Sequence, residues 1–68
     1  MTVAKINGKQ VNLLIALFIQ AAIHSSQRQL EFIEYDCGIE VKKLEDLNYG
    51  QMQVVIERLK NKFNIEVY

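Results

Sequence analysis

The segment that decides the fold runs from Leu47 to Phe63 and has the sequence LNYGQMQVVIERLKNKF. Its apolar side chains recur at the i, i+3, i+4, i+7 and i+11 positions of an amphipathic α-helix. The apolar stripe consists of Met52, Val55, Ile56, Leu59 and Phe63. Asn48 and Gln51 stand three residues apart at its start, which is the spacing of a capping box. We therefore predict a helix over about residues 49–62, with this stripe facing a core.

Two earlier segments carry the same kind of start signal. Asn7 with Gln10, and Ser26 with Gln29, repeat the spacing of a short polar cap followed by glutamine. The first and third starts also have the apolar pairs of a hydrophobic staple, which are Ile6 with Val11 and Leu47 with Met52. The first of these segments predicts a helix over about residues 8–23.

The second helix is expected over about residues 27–37, with Gly38 positioned for a left-handed C-terminal cap. Its acidic residues are expected in water, and its apolar side chains on one buried stripe. That stripe comprises Leu30, Ile33 and Cys37, broadened by Phe32 and Tyr35.

Two β-prone segments compete with a purely helical interpretation. Residues 3–6 precede Asn7-Gly8 and resemble a strand that enters a hairpin turn, although the staple favours a helix start there. Residues 64–68 alternate apolar and polar side chains and favour a short C-terminal strand, paired with residues 2–6, with 39–41 or with another chain. The predicted fold is therefore mainly α, a compact three-helix domain, with the terminal strand left open.

The size and composition limit the function. The chain has 68 residues, eight Lys plus Arg against eight Asp plus Glu, one Cys and no Pro. This length and the absence of a linker predict one small helical domain over residues 1–68. Cys37 and His24 are the single residues of their types, and there is no phosphate-binding or zinc-site motif. We expect a protein that is not an enzyme and that uses no cofactor or metal.

The most apolar run, residues 11–23, is shorter than the roughly 20 residues that a membrane-spanning helix needs. Lysines before it and Ala21-Ala22 near its end resemble a secretory signal, but we discount this interpretation because its removal would leave fewer than about 50 residues. We therefore expect a cytoplasmic protein that does not enter a membrane.

The first helix has more apolar surface than two neighbouring helices can cover, since its polar strip is narrow. Either the terminal segments flank it as a central helix, or a second copy or another protein covers the excess. On the second alternative, the candidate partner-binding residues are Leu13, Leu17, Tyr49 and Tyr68.

A weak DNA- or RNA-binding module is the alternative function. Its candidate phosphate contacts are Lys42, Lys43, Arg58 and Lys62. Acidic residues next to these four basic residues reduce the local positive charge. The chain as a whole has balanced charge, whereas a phosphate-binding surface generally has an excess of basic residues. Protein–protein interaction is therefore favoured, and self-association is included in that prediction.

One family resemblance covers about 50 residues. The similar segments are Lys9-Gln10 before an apolar helix, a second helix ending near Gly38, Lys43-Leu44-Glu45-Asp46-Leu47-Asn48, Gln51, and Val54-Val55-Ile56-Glu57-Arg58-Leu59-Lys60. In their order these segments resemble the GemA family, small regulators of gene expression from Mu-like phages. The resemblance implies a small phage or prophage protein that modulates host functions. Together with the favoured protein–protein interaction, it leads us to expect a phage- or mobile-element-type regulator that binds or inhibits a host or defence protein. The chain departs from the family in its less basic and less aromatic early part and in residues 64–68, which puts a DNA-linked role in doubt.

Overall fold

The computed structural model describes residues 5–65, and these form three α-helices and one short 3₁₀ turn. Helix α1 spans Gly8–Gln20, α2 spans Ser26–Cys37 and α3 spans Tyr49–Phe63, while the 3₁₀ turn spans Leu44–Asp46. Helix α3 packs against both α1 and α2. The predicted mainly α, three-helix fold is confirmed.

The starts of α1 and α3 are fixed by the two predicted capping boxes. The Asn48 side-chain oxygen accepts from the Gln51 N–H at 2.8 Å, and the Gln51 side-chain oxygen accepts from the Asn48 N–H at 3.0 Å. Asn7 and Gln10 repeat this exchange at the start of α1, with both distances at 3.3 Å. Each box satisfies backbone donors that have no partner within the helix.

The chain before α1 lies against the chain before α3. The Ile6 N–H donates to the Leu47 carbonyl at 3.0 Å, and Lys5 and Asn48 form an isolated antiparallel bridge. The Lys5 ammonium lies 3.4 Å from a carboxylate oxygen of Asp46. These contacts bring the N-terminal ends of the two helices together, so α1 and α3 begin at the same end of the molecule.

The core lies between the three helices and is almost wholly apolar. All four residues of the two predicted staples are buried, and so is the α3 stripe except for Phe63. The fully buried side chains are Phe18, Leu14, Ile33, Leu47, Leu59 and Val55. Among residues 5–65, the polar side chain that is buried with them is that of Gln29. Burial of each large side chain stabilises the fold by about 1.5–3 kcal/mol, which makes the core the main source of stability.

Helix α1 ends at Gln20, so the prediction of a helix to residue 23 is wrong. Ala22 has a φ of 62°, in the left-handed region, and the Ile23 N–H donates to the Phe18 carbonyl at 2.8 Å. This turn sends Ile23 back towards the core, where it is partly buried. Alanine is not a residue type typical of a left-handed cap, so the C-terminal end of α1 could not be recognised from the sequence.

The start of α2 is also one residue away from the prediction. Ser25, and not Ser26, caps the helix, because its hydroxyl accepts from the Arg28 N–H at 3.2 Å. The predicted capping box of Ser26 with Gln29 is therefore wrong. The Gln29 side-chain amide instead donates to the Ile23 carbonyl at 3.2 Å. This backbone carbonyl of the loop after α1 thereby has a hydrogen-bond partner.

Both remaining helix ends use left-handed caps. Gly38 has a φ of 70° and closes α2 as predicted, and Asn64 has a φ of 55° and closes α3. After this turn Ile65 is buried in the core. Residues 39–41 form no strand, and residues 66–68 and 2–4, on which the prediction of a terminal strand mainly rests, lie outside the described residues.

The predicted α2 stripe is correct in its centre and wrong at Tyr35. Ile33 and Phe32 are buried, and Leu30 and Cys37 are partly buried, but the Tyr35 side chain is 78% exposed. Successive residues of a helix turn by about 100°, and two residues after Ile33 the side chain points away from the core. Tyr35 therefore belongs to the outer surface of α2.

Candidate partner-binding site

A groove with aromatic walls opens where the C-terminal ends of α1 and α3 meet α2. It has a volume of about 390 Å³. We call it the aromatic groove. Its lining residues are Ala21, Ala22, Ile23, Arg28, Glu31, Phe32, Tyr35, Asp36, Lys62 and Phe63. Phe32 is nearly buried at its base, while Tyr35 and Phe63 are exposed at its edges.

Three phenylalanines connect this groove to the core. The rings of Phe18 and Phe32 meet edge to face with their centroids 5.8 Å apart, and the Phe32 and Phe63 centroids are 6.0 Å apart. Such aromatic pairs stabilise by about 0.5–1.5 kcal/mol beyond their buried area. Phe32 therefore links the exposed ring of Phe63 to Phe18, which is fully buried in the core.

Lys62 holds the α3 side of the groove in place. Its ammonium lies 5.8 Å from the Phe32 ring centroid and 5.9 Å from that of Phe63, within the range of a cation–π contact. The same ammonium lies 3.0 Å from a carboxylate oxygen of Asp36. Asp36 belongs to α2 and Lys62 to α3, so this ion pair joins the two helices at one rim of the groove. The two charges offset each other there.

Arg28, Glu31 and Tyr35 form the outer face of α2 beside the groove. They follow one another at i, i+3 and i+7, so they share one side of the helix, and all are exposed. Within residues 5–65 neither Arg28 nor Glu31 forms an ion pair. This face presents an aromatic ring with one charge of each sign, and sequence reasoning missed it because Tyr35 was assigned to the buried stripe.

A second, smaller cleft of about 170 Å³ lies between α1, the N-terminal part of α2 and the segment that leads into the 3₁₀ turn. We call it the lysine cleft. Its lining residues are Val11, Ile15, Ser26, Gln29, Leu30, Lys42, Lys43, Leu44 and Glu45. Its base is apolar, and two lysines stand at its rim.

The structure separates the four partner-binding residues predicted from the sequence. Leu13 is 39% exposed and Tyr49 43% exposed, so both can reach a partner. Leu17 is only 2% exposed, and its assignment to a partner surface is wrong. The edge of the buried face of α1 falls between Leu13 and Leu17, because Leu17 packs inward with its neighbour Phe18. Tyr68 lies outside the described residues.

The four predicted phosphate contacts fall into two groups. Lys42 and Lys43 line the lysine cleft, whereas Arg58 and Lys62 border a surface depression that also includes Asp36. Lys62 is already paired with Asp36. A phosphate-binding surface needs several free cations along one path, and no lining of this kind joins the two groups in the described part of the chain. The nucleic-acid alternative stays a prediction.

The structure shows the surroundings of the two singly occurring residue types, Cys37 and His24. Burial raises the pKa of the Cys37 thiol, the Asp36 carboxylate raises it further, and Arg58 lowers it in part. A raised pKa disfavours the nucleophilic thiolate. His24 is exposed in the loop between α1 and α2. Among residues 5–65 no group of three or more His, Cys, Asp and Glu side chains could hold a metal ion.

In the same residues, none of the helices combines the length and the apolar character that crossing a membrane requires. Comparisons with protein-family models, with curated proteins and with solved structures find no match to this chain. The resemblance to the GemA family therefore stays a prediction.

Proposed function

We propose that this chain is a small non-enzymatic interaction protein that self-associates through the outer face of α2 and the aromatic groove. The observation that carries the proposal is Tyr35, a large aromatic side chain that is 78% exposed at the edge of a groove with an aromatic base. Tyrosine, arginine and an apolar base surrounded by polar residues are typical of interface centres. A monomer leaves this surface in water.

The charges on the α2 face favour a second copy as the occupant. Two α2 helices that run antiparallel about a two-fold axis at the level of residues 29 and 30 bring Arg28 opposite the partner's Glu31, and Glu31 opposite the partner's Arg28. An interface about a two-fold axis must be complementary to itself, and a face with one charge of each sign meets this condition. Neither charge has a competing ion pair within residues 5–65.

The same register places Tyr35 in the partner's groove. Under this symmetry Tyr35 lies level with the partner's His24, next to the wall formed by Ala22 and Ile23. Each copy would therefore insert one tyrosine ring over the apolar side of the other copy's groove. One tyrosine ring is thus buried at each end of the interface. The two rings supply apolar contact, which is needed because two exposed ion pairs alone contribute little to affinity.

The size of α2 limits how tight this dimer can be. A helix of 12 residues is about 18 Å long, and an interface of this length lies at the small end of the areas that specific complexes bury. We therefore expect a reversible dimer with a Kd on the order of 1–100 μM. The remaining exposed apolar residues of the described chain, including Leu13 and Tyr49, stay available to a different protein.

The biological role that we propose combines this self-association with the GemA-like resemblance. A dimer presents every other surface twice, which strengthens binding to a second protein without a new contact. We propose that the protein acts in this way on a host or defence protein of the cell that a phage or mobile element occupies. The balanced charge and the separated lysines support a protein target over a nucleic acid.

The test is the molar mass of the purified chain, measured by light scattering on a sizing column across a concentration series. We expect the mass to rise from 7.9 kDa towards twice that value as concentration increases. A Leu13→Ser, Tyr49→Ser variant should keep this behaviour, because neither residue lies on the α2 face. A mass of one chain throughout, or a dimer that this variant abolishes, would overturn the proposed use of α2.

A further inference from the structure

The lysine cleft lies apart from the aromatic groove, and it is smaller and more enclosed. Its base consists of Val11, which is buried, and of Ile15 and Leu30, which are partly buried. Leu44, at the start of the 3₁₀ turn, is buried and also lines the cleft. All of these contacts come from regular elements, so the base is held in place by the same packing that holds the core.

The volume of the cleft fits one side chain. The cleft has a volume of about 170 Å³, less than half that of the aromatic groove. Sites for small molecules and cofactors generally have about 300–1,000 Å³. The cleft is therefore too small for such a ligand, and it matches a single leucine or phenylalanine side chain presented by a peptide.

The charge at the rim selects the residues beside that side chain. Lys42 and Lys43 are exposed, and neither forms an ion pair within residues 5–65. Glu45 is the acidic residue of the lining, so the rim carries an excess of positive charge. Lys42 also borders a wide surface with Glu34, Glu40 and Asp46. Of these two lysines, Lys43 does not border that acidic surface, so it should contribute most of the attraction to a carboxylate.

We infer that the lysine cleft binds an acidic segment of a partner protein. One leucine or phenylalanine side chain of that segment lies over Val11, Ile15 and Leu30, and a neighbouring carboxylate pairs with Lys43. The apolar contact gives affinity and the ion pair gives selectivity for acidic over neutral sequences. This site is independent of the proposed dimer, because the cleft and the aromatic groove share no lining residue.

The experiment is a titration of the ¹⁵N-labelled chain, followed by NMR chemical shifts, with a peptide of one central leucine flanked on each side by two glutamates. We expect a Kd on the order of 1 mM, since one side chain and one or two exposed ion pairs form the contact. The shifted amides should be those around Ile15, Leu30 and Lys43. A matched peptide with glutamines for the glutamates should bind about fivefold more weakly.

Variants of the chain test the role of the rim. Lys43→Gln should weaken binding of the acidic peptide about threefold and Lys42→Gln by less, while the glutamine peptide should bind all forms equally. Lys9→Gln and Lys60→Gln, at exposed lysines outside the cleft, make the same charge change and should leave the Kd unaltered.

Four outcomes overturn the inference, and the last of them concerns a competing ligand. The first is no shift at the cleft, the second is equal binding of the acidic and glutamine peptides, and the third is equal weakening by the cleft and control lysines. Laurate, a fatty acid, serves as a competitor, and its displacement of the peptide with a higher affinity would assign the cleft to a lipid anion instead. None of these results alters the molar mass of the chain, so they are separate from the test of the dimer.

Discussion

The replacement of Tyr35 by alanine should dissolve the proposed dimer and leave the fold intact. Full burial of a large apolar side chain stabilises by about 1.5–3 kcal/mol. Because 78% of the Tyr35 side chain is still exposed in one chain, most of this free energy remains for association. We take about 1.5–2 kcal/mol for each tyrosine. Two tyrosines enter a two-fold interface, which gives about 3–4 kcal/mol for the pair.

A loss of this size raises the Kd by two to three orders of magnitude, since each 1.4 kcal/mol is tenfold. Sedimentation equilibrium over a dilution series measures this change directly. The variant should stay at the mass of one chain at concentrations where the parent chain is largely dimeric. Its thermal unfolding, followed by circular dichroism at a concentration where the parent chain is also a monomer, should shift only slightly, because exposed side chains contribute within about 0.5 kcal/mol to stability.

The matched control is Val54→Ala. Val54 is also an exposed apolar residue, at 42%, but it belongs to α3 and does not line the aromatic groove. We expect its Kd to equal that of the parent chain. The reasoning is refuted if Tyr35→Ala and Val54→Ala have the same Kd, whatever that value is, because general loss of apolar surface would then explain any effect.

Three further predictions concern the fold. Asn48→Ala removes a capping box and should lower the free energy of unfolding by about 1–2 kcal/mol, measured by urea titration, while Asn61→Ala on the exposed side of α3 should not lower it. Ala22→Gly should raise stability by about 0.5–1 kcal/mol in the same assay, since Ala22 has a φ of 62°; a loss would show that this turn is unstrained. Cys37 should react with iodoacetamide more slowly in the native chain than in urea at pH 8, because its pKa is raised by burial, and equal rates would contradict that environment.

The sequence predicted the helices well where local chemistry determines them. Asn7 and Asn48 have side chains that bond to their own following backbone, and Gly38 adopts a left-handed φ without strain. These signals act over three or four residues, so they can be recognised without tertiary structure. The period of the α3 stripe likewise fixed which side of that helix is buried.

The errors at the end of α1 and at the start of α2 have one physical cause, which is that tertiary contacts overrode local preference. The error at Tyr35 is different, because the turn of about 100° per residue already directs this side chain away from the side of Ile33. Ala22 takes a left-handed conformation because Ile23 returns to the core, and Gln29 serves the Ile23 carbonyl in place of a cap. Neither residue type carries a sequence signal for these roles. The rotation of α1 that buries Leu17 and leaves Leu13 exposed depends on where α3 packs, and the apolar run of α1 does not specify it.

The candidate site was less accessible to sequence reasoning than the fold. The outer face of α2 follows from the spacing of Arg28, Glu31 and Tyr35, because residues at i, i+3 and i+7 share one side of a helix. The groove beside it brings together residues from three helices, such as Ala22, Phe32 and Phe63, that are distant in sequence. Their proximity follows only from the packed structure.

The most direct test of the central claim is the molar mass of an equimolar mixture of the Arg28→Glu and Glu31→Arg variants, measured by light scattering. In each variant alone, like charges oppose each other twice across the proposed two-fold axis, and we expect the mass of one chain. In the mixture, position 28 of one variant meets position 31 of the other with opposite charges, and we expect the mass of two chains. A mixture that stays at the mass of one chain, or single variants that dimerise as the parent chain does, would contradict the account.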